Sequence, residues 1–322
     1  MGDQFKWGFI GCGWIAEQMA LEFEQSENHV IMAVWNRTTK RARTFTERFG
    51  GKVYEELDAF LKEPDIDGVY IAVTADKHAE YMRACISYGK PVLCEKPFTV
   101  NAKETEEVMV LAKEKRVYVS EAMWTWHNDV AKQVKTWIKR GRLGKVQAVE
   151  IAYSLPMIWT YPRPRLIERD LIGGAVMDIG VYALRYAYEL FGLPKSLTCQ
   201  GDLADTGVDL NEEICLDYGD FTAKLMIGIN GSRGEHLLIF GEEGTLLVQD
   251  FHMAKQAEIY GRQRETYRAK HDLLLLRQAD LVAEEIKRGQ LQGDLTLDAS
   301  LEVMELLDEC RRQLGVVYPN EE

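Results

Sequence analysis

The sequence predicts an α/β protein: an N-terminal doubly wound parallel sheet, then a C-terminal α+β domain with an open, largely antiparallel sheet. Three observations predict it. Short, continuously apolar runs alternate with helical stretches up to residue 120, the pattern of βαβ units whose strands are buried on both faces. A glycine-rich turn joins the first such run to the first helix. Beyond residue 121, strands follow one another through short glycine-containing turns, which marks an antiparallel or mixed sheet. The expected domains are 1–120 and 121–322, in keeping with a soft prior of about 150 residues per domain.

The elements follow in order. Residues 6–10 are apolar and end at Gly11, a buried strand. Residues 14–24 place Ile15, Met19 and Phe23 on one side at helical spacing. A second strand is expected at 30–35, a helix at 40–49 and a third strand at 68–73. A helix over 78–88 stops at Gly89, as a glycine just past a helix end would make it do. A strand at 91–94, a helix at 105–115 and a strand at 117–119 complete the first half. The second half begins with a helix at 130–140 and a longer alternating strand at 146–153. A loop with Pro156, Trp159, Pro162 and Pro164 leads to a helix at 174–191. Strands are expected at 196–201, 213–218, 221–230, 235–241 and 244–249, then helices at 272–288 and 297–314.

Composition narrows the function classes. The 322 residues are 46% hydrophobic and 28% charged, ordinary for a folded chain. Lys+Arg 39 against Asp+Glu 51 gives a net charge of -12. Nucleic acid is not expected as a partner, because phosphate neutralisation needs clustered cations. No apolar run reaches the roughly 18 residues that span a bilayer, and the N-terminus has no basic segment followed by an apolar core. The expected location is cytoplasmic, with no membrane partner. The cysteines (Cys12, Cys85, Cys94, Cys199, Cys215, Cys310) form no CxxC pair, so they read as reduced thiols. The six histidines show no metal-ligand spacing, and no metal is expected.

Three constellations carry chemistry. The first is Gly11-Cys12-Gly13-Trp14-Ile15-Ala16. Gly11 permits the tight turn, Gly13 lets backbone approach a pyrophosphate, and Ala16 keeps helix and strand close. The helix N-terminus offers unpaired N–H groups to phosphates. At the end of the second strand an NAD site usually places a carboxylate for the ribose 2′-hydroxyl. Here stand Asn36, Arg37 and Thr38, a cation and hydroxyl suited to a 2′-phosphate. The expected cofactor is NADP rather than NAD.

The second is Glu95-Lys96-Pro97. It follows the fourth of these strands, at the carboxyl end where ligands bind in open α/β sheets. Lys96 can donate to a substrate hydroxyl or depress a nearby pKa, and Pro97 could form a cis bond. The third is Gly173-Gly174 through Tyr182. Asp178 and Tyr182 are four apart and share a helix face. Gly180 inside that helix suggests close approach by a nicotinamide or substrate. A phenol of ordinary pKa about 10 becomes a usable base beside a cation. Trp124, Trp126, Trp159 and Tyr161 could form a stacking wall for a sugar ring or an aromatic diol.

These motifs, with Glu121-Ala122-Met123-Trp124, resemble the glucose-fructose oxidoreductase / inositol dehydrogenase (Gfo/Idh/MocA) family over essentially the full chain. The segments Glu121-Ala122-Met123-Trp124-Thr125 and Asp178-Ile179-Gly180-Val181-Tyr182 are most similar to its dimeric dihydrodiol dehydrogenase branch. The resemblance implies an N-terminal Rossmann domain, a nicotinamide cofactor, and a C-terminal sheet that makes a homodimer or homotetramer. It implies that Lys96 and Tyr182 form the catalytic pair with Asp178 nearby; branches with a catalytic His have it where this chain has Tyr182. Val73, Thr74 and His78 fall in the cofactor loop after the third strand, where the family often has Pro at the position of Thr74. After Trp124-Thr125 many members carry Arg, whereas Trp126-His127 follow here. The reaction implied is hydride transfer between NADP(H) and a secondary alcohol or ketone of a sugar, polyol or trans-dihydrodiol. The rival is a non-catalytic NAD(P)-binding regulator on the same fold, which could dispense with the Lys and Tyr present here.

Overall fold

The computed structural model describes residues 4–160 and 164–321. The chain forms two units, Met1–Trp124 with Leu275–Leu301, and Thr125–Leu274 with Glu302–Glu322.

The first unit is built on β1 (Phe5–Ile10), α1 (Trp14–Phe23), β2 (His29–Trp35), α2 (Thr39–Phe49), β3 (Lys52–Tyr54) and α3 (Leu57–Leu61). It continues with β4 (Gly68–Ile71), α4 (His78–Ser87), β5 (Val92–Glu95), α5 (Ala102–Lys115) and β6 (Val119–Ala122). The strands are parallel and lie in the order β3-β2-β1-β4-β5-β6. Chain direction across the sheet reverses between β1 and β4, and in such sheets the ligand crevice opens there, beyond the carboxyl ends. Trp7 and Phe9 of β1 are buried in one cluster with Phe23, Phe45 and Tyr70, which is why β1 reads as an unbroken apolar run.

A helix from late in the chain, α10 (Leu274–Lys287), also belongs to this core through Leu275, Ala279 and Val282. Polar contacts fasten it. Glu22 accepts the Leu276 N–H at 2.8 Å, and Tyr118 donates to Glu285 at 2.6 Å. The Trp7 indole donates to His29 Nδ1, and His29 Nε2 meets Asp280 at 2.9 Å.

Helix α6 (Trp124–His127) begins on the last residue of the first unit's main segment, and the second unit carries α7 (Asp129–Lys139), β7 (Val146–Ser154), α8 (Met157–Thr160), a wide π turn (Val176–Gly180) and α9 (Val181–Phe191). Then come β8 (Ser196–Leu203), β9 (Asp209–Asp217), β10 (Thr222–Gly228), β11 (Gly234–Gly241), β12 (Gly244–Gln249), β13 (Gln256–Gly261) and β14 (Glu265–Arg268). The order is β14-β13-β12-β11-β7-β10-β9-β8. Every neighbouring pair is antiparallel except β7 with β10, so the sheet is mixed. The last long helix is α11 (Leu297–Leu314).

The expected fold class is the observed one, with local differences. Edge strand β3, helix α3 and strands β13 and β14 are not expected from sequence; they are short, and β14 alternates exposed with half-buried residues. The helix expected over 174–191 is interrupted at its start by the π turn. The strand expected at 117–119 lies at Val119–Ala122, where Glu121 is buried and accepts a hydrogen bond from Ser300 at 2.8 Å. A buried carboxylate does not look like strand in a hydrophobicity pattern.

Candidate active site

In the first unit the expected cofactor residues sit on neighbouring loops at the carboxyl edge of the sheet. The turn after β1 is held from both sides. Gly11 donates to Trp35 O at 3.0 Å, and Ala72 N donates to Ile10 O at 2.8 Å. Gly11 has φ +102, and a Cβ on it would lie 2.3 Å from Ala72 O. Glycine is required there by conformation and by contact. Gly13 differs: a Cβ there would meet nothing closer than Ala72 O at 4.0 Å. The space before Gly13 is open, and Gly13 caps α1 with no side-chain bond to the first-turn N–H groups. An open cradle at a helix N-terminus fits a pyrophosphate. Ala16 is buried, Cys12 and Ile15 pack against the core, and Trp14 is exposed. Burial, with Glu17, pushes the Cys12 thiol up to about 12 against the pull of Arg41, so it is a packing group rather than a nucleophile.

Beyond β2, Arg37 and Thr38 are exposed. The Asn36 side chain donates to Thr38 O at 3.0 Å and folds the segment. Thr38 precedes α2 without spending its side chain on a cap bond. Beyond β4, Val73 and Thr74 are half-buried and lead into a short 3₁₀ turn, Ala75–Lys77. His78 is the last expected cofactor residue of this loop. It is buried, with Nδ1 at 2.8 Å from Pro97 O and Nε2 at 3.2 Å from Val73 O. Burial pulls its pKa down, and a neutral ring has one N–H to give, so it donates to one of these two carbonyls.

The Lys96–Pro97 bond is cis, and Lys96 is half-buried. Glu95 is buried and accepts from the Tyr70 hydroxyl at 2.6 Å and from Lys96 N at 3.3 Å. Sequence reasoning does not single out Tyr70 as the partner of Glu95, since a tyrosine inside an apolar strand looks like core. Burial pushes the Glu95 carboxyl from its ordinary 4.5 up to about 7, against the pull of Tyr70 and Lys96. Its pKa is raised on folding, so between those two values the folded chain holds a proton that the unfolded chain releases. Stability therefore falls as pH rises through that window. Glu95→Gln keeps an acceptor for Tyr70 and removes the ionisation. Its melting temperature is expected to exceed the parent's at about pH 8, by the equivalent of roughly 3 kcal/mol at most, and to match it at about pH 4. Thermal unfolding across pH checks this; a constant difference at both ends would refute it.

In the second unit, Gly173 and Gly174 precede the π turn. Gly174 has φ +115, and a Cβ there would lie 2.2 Å from Asp209 Oδ1. The reason for this crowding is that Asp209 Oδ2 accepts the Val176 N–H at 2.6 Å. A carboxylate from β9 thus caps the helix that bears Asp178 and Tyr182, serving N–H groups that have no partner inside the helix. Burial raises both Asp209 and its neighbour Glu212; Glu212 is also opposed by Asp209 and goes well above the carboxylate range. The Tyr318 hydroxyl donates to Gly173 O at 2.6 Å, tying the turn to the chain's last residues.

Asp178 lies in the π turn, buried, and Arg165 donates to it at 2.9 Å. π turns are rare and are frequent at functional sites. Gly180 departs from expectation: a Cβ there would meet Ala175 O at 3.5 Å and Ile227 at 3.6 Å, ordinary contacts within the protein. Tyr182, at the start of α9, is buried among aromatic rings, with Tyr153 at 6.2 Å and His252 at 5.8 Å between centroids. Tyr153 and His252 were not singled out from the sequence.

The described residues of the expected aromatic wall stand in different surroundings. Trp126 is buried edge-on against Tyr186, with the Lys135 ammonium 5.0 Å from its ring centroid, so it packs a core. Trp124 leans on the core of the first unit. Trp159 is 74% exposed and donates to Asn230 at 2.8 Å. Tyr161 lies outside the described residues. Among the described residues no cluster of metal-ligating side chains occurs, and no helix is long and apolar enough to cross a membrane.

Residues 5–123 match the oxidoreductase family with an NAD-binding Rossmann fold, and residues 131–247 match the GFO/IDH/MocA C-terminal domain. The chain belongs to the GFO/IDH/MocA oxidoreductase family. As a member it is a nicotinamide-dependent oxidoreductase. It is 30% identical to scyllo-inositol 2-dehydrogenase (NADP(+)) IolU of Bacillus subtilis, with 98% of each chain covered. It is 28% identical to trans-1,2-dihydrobenzene-1,2-diol dehydrogenase of Xenopus laevis, over 98% of this chain and 99% of that one. Among solved structures it is similar to KijD10, a 3-ketoreductase from Actinomadura kijaniata in complex with NADP and TDP-benzene. The TM-score is 0.85 at 26% identity, covering 97% of this chain and 98% of that one.

Proposed function

We propose that this family member transfers hydride between NADP(H) and a secondary alcohol or ketone of a sugar, polyol or trans-dihydrodiol. The observation that carries the reading is the pairing of an open glycine cradle with an exposed, carboxylate-free Asn36-Arg37-Thr38 segment. The full-length relatives support the substrate class: an inositol dehydrogenase, a dihydrodiol dehydrogenase and a ketoreductase all interconvert a carbon-bound hydroxyl and a ketone.

The glycine turn and the α1 N-terminus would hold the pyrophosphate, and Arg37 with Thr38 the 2′-phosphate. Glu95-Lys96-Pro97 would line the nicotinamide end. When bound, the nicotinamide accepts or delivers the hydride. Tyr182 takes the hydroxyl proton in oxidation and returns it in reduction. Lys96 hydrogen-bonds the same oxygen and favours the phenolate. Asp178, held by Arg165, accepts from a second substrate hydroxyl, which selects diols over simple alcohols. On the open face of the second sheet, Leu238 pairs with Leu247, and Phe240 lies opposite Thr245. We propose that a second copy of the chain covers this face in a homodimer or homotetramer.

The test is a panel of inositols, sugars and trans-diols with NADP and NAD, followed by nicotinamide absorbance. Turnover of a polyhydroxylated substrate with NADP is expected. Tight NADP binding without turnover of any substrate would favour a non-catalytic regulator. Arg37→Ala is expected to raise the KM for NADP by about tenfold to a hundredfold, the worth of one hydrogen bond to a charged group, while the KM for NAD stays constant. An equal change for both cofactors would remove Arg37 from the 2′-phosphate site.

A further inference from the structure

The second unit contains a hydrogen-bonded chain that the proposed reaction does not yet use. Tyr153 on β7 and Glu235 on β11 are directly opposite each other in the sheet. After β12 the backbone turns back through Asp250 at φ 47, and Asp250 N donates to Glu235 O at 3.1 Å. This turn brings His252 over the pair. Glu235 Oε1 lies 2.8 Å from His252 N and 2.6 Å from His252 Nδ1. His252 Nε2 lies 3.2 Å from the Tyr153 hydroxyl. The two rings stack at 4.8 Å with 29° between their planes. The turn is pinned from the start of the unit: Thr125 donates to His252 O at 3.1 Å, and Asn128 donates to Ala254 O at 2.8 Å.

The chemistry of the partners sets the protons. A carboxylate only accepts, so His252 Nδ1 carries the hydrogen and donates to Glu235. The neutral ring then leaves Nε2 as an acceptor, and the Tyr153 hydroxyl donates to it. Burial, followed by Glu235, Asp178 and Asp250, pushes the Tyr153 phenol upward, so it stays a donor. Tyr182 is in contact with both rings of this chain.

We propose that Glu235, His252 and Tyr153 form a relay that fixes the ring of Tyr182 and sets its acid–base behaviour, making His252 a positioning residue of the reaction. The inference rests on the role given to Tyr182 above. Glu235 from β11, Tyr153 from β7 and Tyr182 from α9 face the His252 ring. The stacked pair thus presents one fixed face to the Tyr182 ring, and the relay holds that ring where its hydroxyl exchanges a proton with substrate.

The experiment uses the full chain. Two-bond proton–nitrogen correlation on histidine-labelled protein is expected to show His252 as the Nδ1–H tautomer at neutral pH; the Nε2–H tautomer would overturn the relay. His252→Phe keeps a flat ring and removes both nitrogens. Its kcat is expected to fall at least tenfold with the KM for cofactor unchanged, and to fall no further when combined with Tyr182→Phe. Independent losses that multiply in the double variant would overturn the proposal, because residues acting through one another are not additive. Should His252→Phe not fold, Tyr153→Phe removes one oxygen with the ring in place. It is expected to lower kcat in the same way, and an unchanged kcat would overturn the relay. Fluorotyrosine at position 182 gives a readout without cofactor: its resonance is expected to move in Tyr153→Phe and in His252→Phe. Absence of any hydride transfer by the parent would sink the proposed function, whereas a fluorine resonance indifferent to both changes would sink the relay.

Discussion

Turnover is expected to drop by about a hundredfold or more in Tyr182→Phe, the usual cost of losing a positioned general acid–base group. The substitution deletes one oxygen and keeps the ring. The ring is what packs: Tyr182 is buried, with Tyr153 and His252 as aromatic neighbours. The helix is anchored elsewhere, through Asp209 on Val176 and Tyr318 on Gly173. The variant should therefore melt near the parent temperature and bind NADP with unchanged affinity, since the cofactor residues proposed above lie on other elements. Steady-state kinetics with the best substrate of the panel, beside a direct cofactor titration, separates the effects. Equal turnover in parent and variant would remove Tyr182 from acid–base work.

Gly11→Ala is expected to abolish measurable nucleotide binding while the protein still folds. Two costs coincide at this position. A left-handed backbone costs an L-residue roughly 1–2 kcal/mol. The added methyl would also lie 2.3 Å from Ala72 O, and Ala72 is held by its own bond to Ile10. Neither partner is a flexible side-chain tip, so the turn must move and carry the first N–H groups of α1 away from the phosphates. Gly13→Ala is the control, because its Cβ points into open space within the protein. It should fold like the parent and lose affinity only through contact with the nucleotide. Melting curves with and without NADP measure both, since ligand that binds only folded protein raises the melting point in proportion to affinity. Retention of full NADP protection in Gly11→Ala would refute the assignment of this turn.

The parts of the site legible in the sequence are those written in consecutive residues. The glycine turn, Glu95-Lys96-Pro97 and the Gly173-to-Tyr182 stretch are local patterns whose backbone demands are visible one residue at a time. The unread parts are assembled across the fold. Tyr153, Glu235 and His252 come from separate strands and a turn, and none carries a local signature. Asp209 lies on a distant strand, yet it explains Gly174. Trp126 and Trp159 look alike in sequence, but one is packed against Tyr186 and the other is exposed, a distinction that only burial makes. The π turn escapes detection because its residues are as apolar as those of the α-helix expected there. Strand β14 escapes because an exposed sheet margin needs little hydrophobic periodicity, and β13 because only Ala257 and Ile259 of its six residues are buried.

Burial divides the proposed site into parts with different evolutionary freedom. Arg37 and Thr38 stand on an exposed segment whose side chains serve no cap, so exchanging them perturbs little else. Glu95, Asp178 and Tyr182 are embedded among partners that would have to change with them. With Arg37 and Thr38 on the 2′-phosphate as proposed, exchanging them would alter the choice of reducing currency and leave Glu95, Asp178 and Tyr182 in place.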